Sequence, residues 1–402
     1  MTPVDAFLHV VAAGDAEQAM AIADGNPELA AESLHVAAVL GLERVVRRLL
    51  VENRARVAVQ AGEPPGDPLL WLCYSPFHGP RDHGLEGAAR ALLEAGADPN
   101  ARDGGRYRLP ALYAVTGHNH APRIARLLLE AGADPTDGES VFHAAERFHE
   151  EALELLLEFG VDLNATGEWG NSPFYFLLRN WDIAGAPAEL GRGLRWLLDH
   201  DADPNVRCGG EQETSLHVAA RRGQDSEVVR LLLDHGADVD ARRDDGRTAW
   251  LLARRGGFDE LATLLEAAGA VPEALTRADL LMAACGHGDA EAARRLAATV
   301  DPEDERVLPE AASLGRFDVV AACLAAGFPV DTADETGATA LHYAAIRGHA
   351  ASVRALLAAG ADTTIRDAEH DSNPLGWAEY GKETTHESEG DYDDCLTALN
   401  DG

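Results

Sequence analysis

The sequence predicts an all-α solenoid of about twelve helix-turn-helix units carrying short β-hairpin fingers, and three observations lead there. The segment TALHYAAIRGHAASVRALLAAGADTTIRD at 339–367 has a sister in TSLHVAARRGQDSEVVRLLLDHGADVDAR at 214–242, and fainter copies fill the rest. Landmark glycines or their equivalents stand at Gly96, Gly132, Gly160, Asp201, Gly236, Gly269, Gly327 and Gly360, separated by 36, 28, 41, 35, 33, 58 and 33 residues. The interval of 58 holds two shortened units whose missing landmark falls near Val300. Finally, 46% of the 402 residues are apolar, which suits a large folded protein and is too much for a disordered one.

Each part of a unit has a physical cause. Leu341 and the alanines around it form the apolar face of a short first helix whose small side chains let helices approach closely. Gly348 ends that helix, Val353, Leu356 and Leu357 put the core face of the second helix at helical spacing, and Gly360 supplies a left-handed C-cap. Asp245-Gly246 and Thr336-Gly337 then make the tips of hairpin fingers. Units begin near residues 1, 32, 66, 103, 138, 167, 209, 243, 276, 304, 334 and 367. None can bury its apolar faces alone, so residues 1–402 are expected to form one solenoid. Its amino-terminal cap is 1–31, its repeats are 32–366, and its carboxyl-terminal cap is 367–402, where Tyr392, Cys395, Leu396 and Leu399 face inward. The segments starting at 276 and 304 lack the signature and the usual finger, so irregular stacking is expected there.

Thr339, Ala340, Leu341, His342, Tyr343, Ala344, Ala345, Gly348 and His349, followed by the L-L-x-x-G-A-D run at 356–362, resemble the ankyrin-repeat family. With the period near 33 residues, the resemblance covers essentially the whole chain. It implies a non-catalytic module that binds a protein or peptide on a concave face and fingers. It also implies that His35, His143, His217 and His342, and likewise His9, hydrogen-bond in finger-to-helix junctions, while His118 and His349 fill turn positions. The position after the junction histidine is then expected on the concave side: Trp71, Tyr113, Ala144, Phe176, Val218, Leu252, Tyr343 and Trp377.

Departures from the repeat locate a candidate site. Two insertions, near 74–84 and 179–190, lengthen the turn opposite the finger in the third and sixth units, and both hold aromatics, such as Phe77 and Trp181. Concave aromatics concentrate in the third to sixth units, and Trp169 joins them in a finger turn. Exposed aromatic anchors mark interfaces, so Trp71, Tyr74, Tyr113, Trp169, Phe176 and Trp181 are the expected partner anchors, with Arg106 and Arg108 orienting the partner. Arg102, Arg106 and Arg108 crowd one finger and Arg242, Arg243 and Arg247 another, where pairing with carboxylates such as Asp103 and Asp244 is the simpler expectation. A second reading makes the insertions the walls of a small-molecule or metal site, with His78, Asp82, His83 and His120 as acid–base groups or ligands and His149 beside Glu150 nearby. A third is an acidic inhibitory or immunity-type protein that neutralises a cationic partner.

Composition narrows the rest. Acidic residues number 68 against 34 basic ones, a formal net charge of −34, which disfavours nucleic acid and anionic membranes and favours a basic partner. Cys73, Cys208, Cys285, Cys323 and Cys395 are odd in number and scattered, pointing to a reducing compartment. No basic leader precedes an apolar run, and no run approaches the ~18 residues of a membrane span, so a soluble, cytoplasmic monomer is expected. With Lys382 as the one lysine there is no P-loop, and GxGxxG, HExxH and GxSxG are missing; no cofactor, no metal and no catalysis are expected. Arginine in place of lysine, with abundant Ala and Gly, hints at a GC-rich bacterial gene.

Overall fold

The computed structural model describes residues 2–401 apart from 79–83, 106, 168–169, 180–187, 301–306, 314–315, 335 and 385–390. Arg106, Trp169 and Trp181, and with them Asp82 and His83, lie outside the described residues.

Twelve pairs of helices follow one another among the described residues. The first helices are Pro3–Ala12, Leu34–Val39, Pro68–Cys73, Ala111–Tyr113 continued by Ala114–His118, Ser140–Glu146, Pro173–Arg179, Ser215–Arg222, Ala249–Gly256, Arg277–Gly286, Val307–Ser313, Ala340–Ile346 and Pro374–Thr384. Each is followed by a second helix, from Ala16–Gly25 in the first repeat to Tyr392–Asp401 in the last. The fingers are closed by isolated antiparallel bridges, Ala61 to Gly66, Arg102 to Pro110, Arg242 to Thr248 and Ala333 to Thr339. The expected helix-turn-helix architecture is the observed one. Two short elements were not foreseen, a helix Pro27–Glu32 after the first repeat and a 3-10 turn Arg54–Ala58 after the second.

Local chemistry fixes where each first helix starts. Thr214 N donates to His217 Nδ1 at 3.1 Å, which leaves Nε2–H to donate to the Ala241 carbonyl at 3.0 Å in the following finger. Thr339 and His342 repeat the arrangement, with His342 Nε2 on the Ser372 carbonyl at 3.3 Å, and His35 Nε2 bonds Val59 O at 2.9 Å. A capping residue of this kind stabilises a helix by about 1 kcal/mol. His9 departs from this expectation and is exposed. The landmark positions take the left-handed conformation, including Gly96, Gly132, Gly360 and the substitute Asp201, whose φ is 67°.

The chain divides into two compact bodies, Met1–Gly210 and Glu211–Gly402. In the amino-terminal body one core cluster joins Phe7, Leu8, Val11, Val36 and Trp71, with Phe77 from the first insertion packed on it. In the carboxyl-terminal body Leu281, Met282, Val319, Cys323, Leu341, Val353 and Leu399 share one core. Repeats nine and ten therefore contribute buried apolar residues despite their weak signature.

A ladder of ion pairs supplies what that signature lacks. Glu213 receives Arg221 at 3.0 Å and Arg243 at 2.6 Å, and Arg243 also pairs with Asp245. Arg247 bridges Asp245 at 3.4 Å and Glu310 at 3.2 Å, and Arg255 joins Glu310 at 2.5 Å to Asp279. The Arg255 side chain is only 2% exposed. Asp279 is itself the capping-box residue of its helix, accepting from Thr276 N at 2.7 Å. Four guanidiniums thus meet four carboxylates, and Arg255 ties repeat eight to repeat ten across the degenerate ninth. Burial alone would raise Glu213, but Arg221 and Arg243 hold its pKa down to about 2. The expected pairing of the 242–247 arginines holds; the partners of Arg243 and Arg247 are Glu213, Asp245 and Glu310, where Asp244 was the expected neighbour.

Candidate functional site

The first helix of the fifth repeat is out of register with the expectation. Its N-cap is Glu139, so Phe142 stands at the junction position that histidine takes in Thr214–His217, and His143 stands one residue further on, matching Tyr343. Phe142 is buried there, and Phe148 adopts φ 47° at the turn where Gly348 sits in the consensus repeat. His143 is therefore corrected from a junction histidine to a residue of the first-helix face, and the position assigned to Ala144 belongs to it.

On that face His143 lies between two carboxylates of its own helix turn. Nδ1–H donates to Glu146 Oε2 at 2.9 Å, and Nε2 is 3.5 Å from Glu139 Oε2. Burial would push the imidazole towards the neutral form, but hydrogen bonds and charge from Glu139 and Glu146 outweigh it and raise the pKa to about 9. The group is an imidazolium at neutral pH, whereas burial lowers the pKa of His217 and His342. Tyr113 meets the His143 ring edge-on at 4.9 Å between centroids and Phe176 does so at 5.1 Å, an arrangement that aromatic quadrupoles favour.

Glycine makes room for the strip. A Cβ on Gly117, in the widened turn 114–118, would sit 2.6 Å from His143 Cβ and 3.2 Å from the Tyr113 ring. Gly193 likewise lets the second helix Ala188–Asp199 reach the fifth repeat, since a Cβ there would fall 2.0 Å from the Ala145 carbonyl oxygen.

The proposed anchors separate on inspection. Tyr113 and Phe176 are half-buried and come together through His143. Tyr74 is half-buried beside His118 at 5.9 Å, and its hydroxyl is buried with no hydrogen-bond partner among the described residues. Such an unmade bond costs about 1–3 kcal/mol. Trp71 is corrected: it is 4% exposed, its Nε1–H donates to the Ala61 carbonyl at 2.7 Å, and it belongs to the core. The small residues Gly62 and Gly66 open the space into which its ring turns. Arg108 is exposed on its finger with φ 47°, and its carbonyl accepts from Arg102 at 3.1 Å.

Of the histidines of the second reading, His78, His120 and His149 are described, and backbone carbonyls or ring contacts engage them. His78 Nε2 bonds the carbonyls of Leu72 and Cys73 at 3.0 and 3.1 Å. His120 and His149 pair ring to ring at 4.3 Å, with His149 Nδ1 on the Thr116 carbonyl at 2.7 Å. No group of three His, Cys, Asp or Glu side chains arranged so that it could hold a metal ion is present among the described residues. No helix there is long and apolar enough to cross a membrane.

Comparison with known proteins identifies the repeat. A family model for ankyrin repeats in three copies matches residues 187–275 and 279–367, and a second ankyrin-repeat model matches 141–183. The human ankyrin repeat domain-containing protein 63 is 32% identical over 193 residues, covering 45% of this chain and 44% of that protein. The human ankyrin repeat and SOCS box protein 16 is 36% identical over 166 residues, 41% of this chain and 28% of the relative. The Caenorhabditis elegans E3 ubiquitin-protein ligase hecd-1 is 33% identical over 141 residues, 31% of this chain and 5% of the relative. The chain thus spans less than half the length of each of these relatives. The solved ankyrin repeat domain of human ASB11 is 24% identical, with a TM-score of 0.44, over 60% of this chain and 99% of that one. Ankyrin repeats are in general protein–protein interaction modules. With the helix pairs, the capped Thr–His junctions and family matches over more than half its length, this chain belongs to the ankyrin-repeat family.

Proposed function

We propose that the chain is a non-catalytic interaction module that holds a protein or peptide partner on the first-helix face of repeats three to six. The observation that carries this reading is the half-buried strip of rings Tyr113, His143 and Phe176, together with the Tyr74 hydroxyl that has no hydrogen-bond partner among the described residues. Aromatic residues that are only partly covered gain most from a partner that completes their burial. Tyr74 extends the strip, and Arg108 stands ready on its finger to orient the partner. The net charge of −34 supports a basic partner, met faster at low salt. Inhibition of that partner is one consequence such binding could have.

The test is affinity capture with the wild-type chain and with a Tyr113→Ala/Phe176→Ala variant of unchanged circular dichroism, at low and high salt. A stoichiometric partner lost from the variant supports the reading. Retention of the partner by the folded variant moves the site elsewhere. A wild type that captures no protein but copurifies with metal or metabolite favours the second reading.

A further inference from the structure

The chemistry left open on this face specifies what kind of side chain it accepts. His143 Nδ1–H is hydrogen-bonded to Glu146 and Nε2 lies 3.5 Å from Glu139, so both donors of the imidazolium face carboxylates of its own chain. Each of the two carboxylates, by contrast, uses one oxygen on His143, and its Oε1 has no partner among the described residues. Two carboxylates around one imidazolium leave a net negative charge. Around the Tyr113 phenol, burial is the main influence; the Arg147 guanidinium opposes it, and the carboxylates of Glu139, Glu146 and Asp103 act with it. Carboxylate oxygens beside aromatic faces suit a planar cation, which donates in its plane and stacks through its face.

Resting on the reading of this face as the partner site, we propose that it takes an arginine side chain of the partner. The guanidinium donates to Oε1 of Glu139 and Glu146 and lies against the rings of Tyr113 and Phe176. His143 is a positioning residue, since it splays the two carboxylates and keeps the two aromatic rings apart. Lysine fits less well, because a compact ammonium cannot bridge both oxygens while stacking on a ring.

The experiment uses the full chain and follows the imidazole Cε1–H signals in proton–carbon spectra. The probes are acetyl-Gly-Arg-Gly-amide, its neutral citrulline isostere and the glutamate counterpart. The arginine peptide is expected to shift His143 saturably, leaving His217 and His342 still, and to bind at least fivefold more tightly than the citrulline peptide. Glu146→Gln should weaken it about tenfold, and Phe176→Leu, which keeps the apolar volume, severalfold. Equal binding of arginine and citrulline peptides, preference for glutamate, or no saturable shift would overturn the proposal. If that happens while the captured partner still depends on Tyr113 and Phe176, arginine recognition falls and the interaction face stands.

Discussion

The same helix pair carries opposite solutions to a polar first-helix face in the two bodies. In residues 211–402 the charges cancel, guanidinium against carboxylate from Glu213 to Glu310, and each end is satisfied within the chain. In residues 1–210 one imidazolium faces two carboxylates, rings stand half-covered, and a buried tyrosine hydroxyl has no partner among the described residues. A closed network braces a structure, while an open one leaves interactions for something else to complete. That difference, more than the presence of charge, is what the proposed partner face rests on.

Breaking the closed network has the largest expected effect. Arg255→Ala leaves the buried Asp279 without its guanidinium and leaves Glu310 with Arg247 alone of these two arginines, which should cost about 3–5 kcal/mol in urea denaturation. A loss below about 1 kcal/mol would mean that the ladder braces nothing. Gly193→Ala drives a methyl into the Ala145 carbonyl and should cost about 2–3 kcal/mol, mostly within the amino-terminal body.

The two bodies should also respond at opposite ends of the pH scale. The raised pKa of His143 gives stability that is complete below pH 6.5 and lost as pH climbs through about 9, on the order of 2–3 kcal/mol. The depressed pKa of Glu213 gives stability that is complete above 4.5 and lost as pH falls through about 2. Denaturation midpoints measured across pH should therefore lose part of their alkaline slope in Glu146→Gln and part of their acid slope in Glu213→Gln. Identical profiles for wild type and both variants would erase the distinction. The smallest effect belongs to the junction: Thr214→Ala should cost about 1 kcal/mol, with unchanged partner capture.

Much of the fold was legible because its determinants are local. The Thr-to-His spacing, the left-handed glycines and even the substitute landmark Asp201 declare themselves within one repeat. The ladder did not, since Arg255 and Glu310 stand 55 residues apart and no periodicity joins them. The candidate site was legible in part. Tyr113 and Phe176 follow from aromatic placement, but Trp71 looked equally exposed until the finger carbonyl of Ala61 accounted for its indole. His143 was misplaced by one residue because its helix begins at Glu139 without threonine, and Phe148 hides the turn that glycine marks elsewhere. Counting back from His149, at the turn position of His349, would have recovered the register.

One spectrum tests the central contrast most directly. Long-range proton–nitrogen correlation of the imidazoles at pH 7.5 reads the protonation state of each histidine in the intact chain. The account predicts that His143 carries protons on both nitrogens, while His217 and His342 are neutral with the proton on Nε2. A neutral His143 at that pH would contradict it, leaving the fifth repeat with an ordinary histidine and the face without its charged centre.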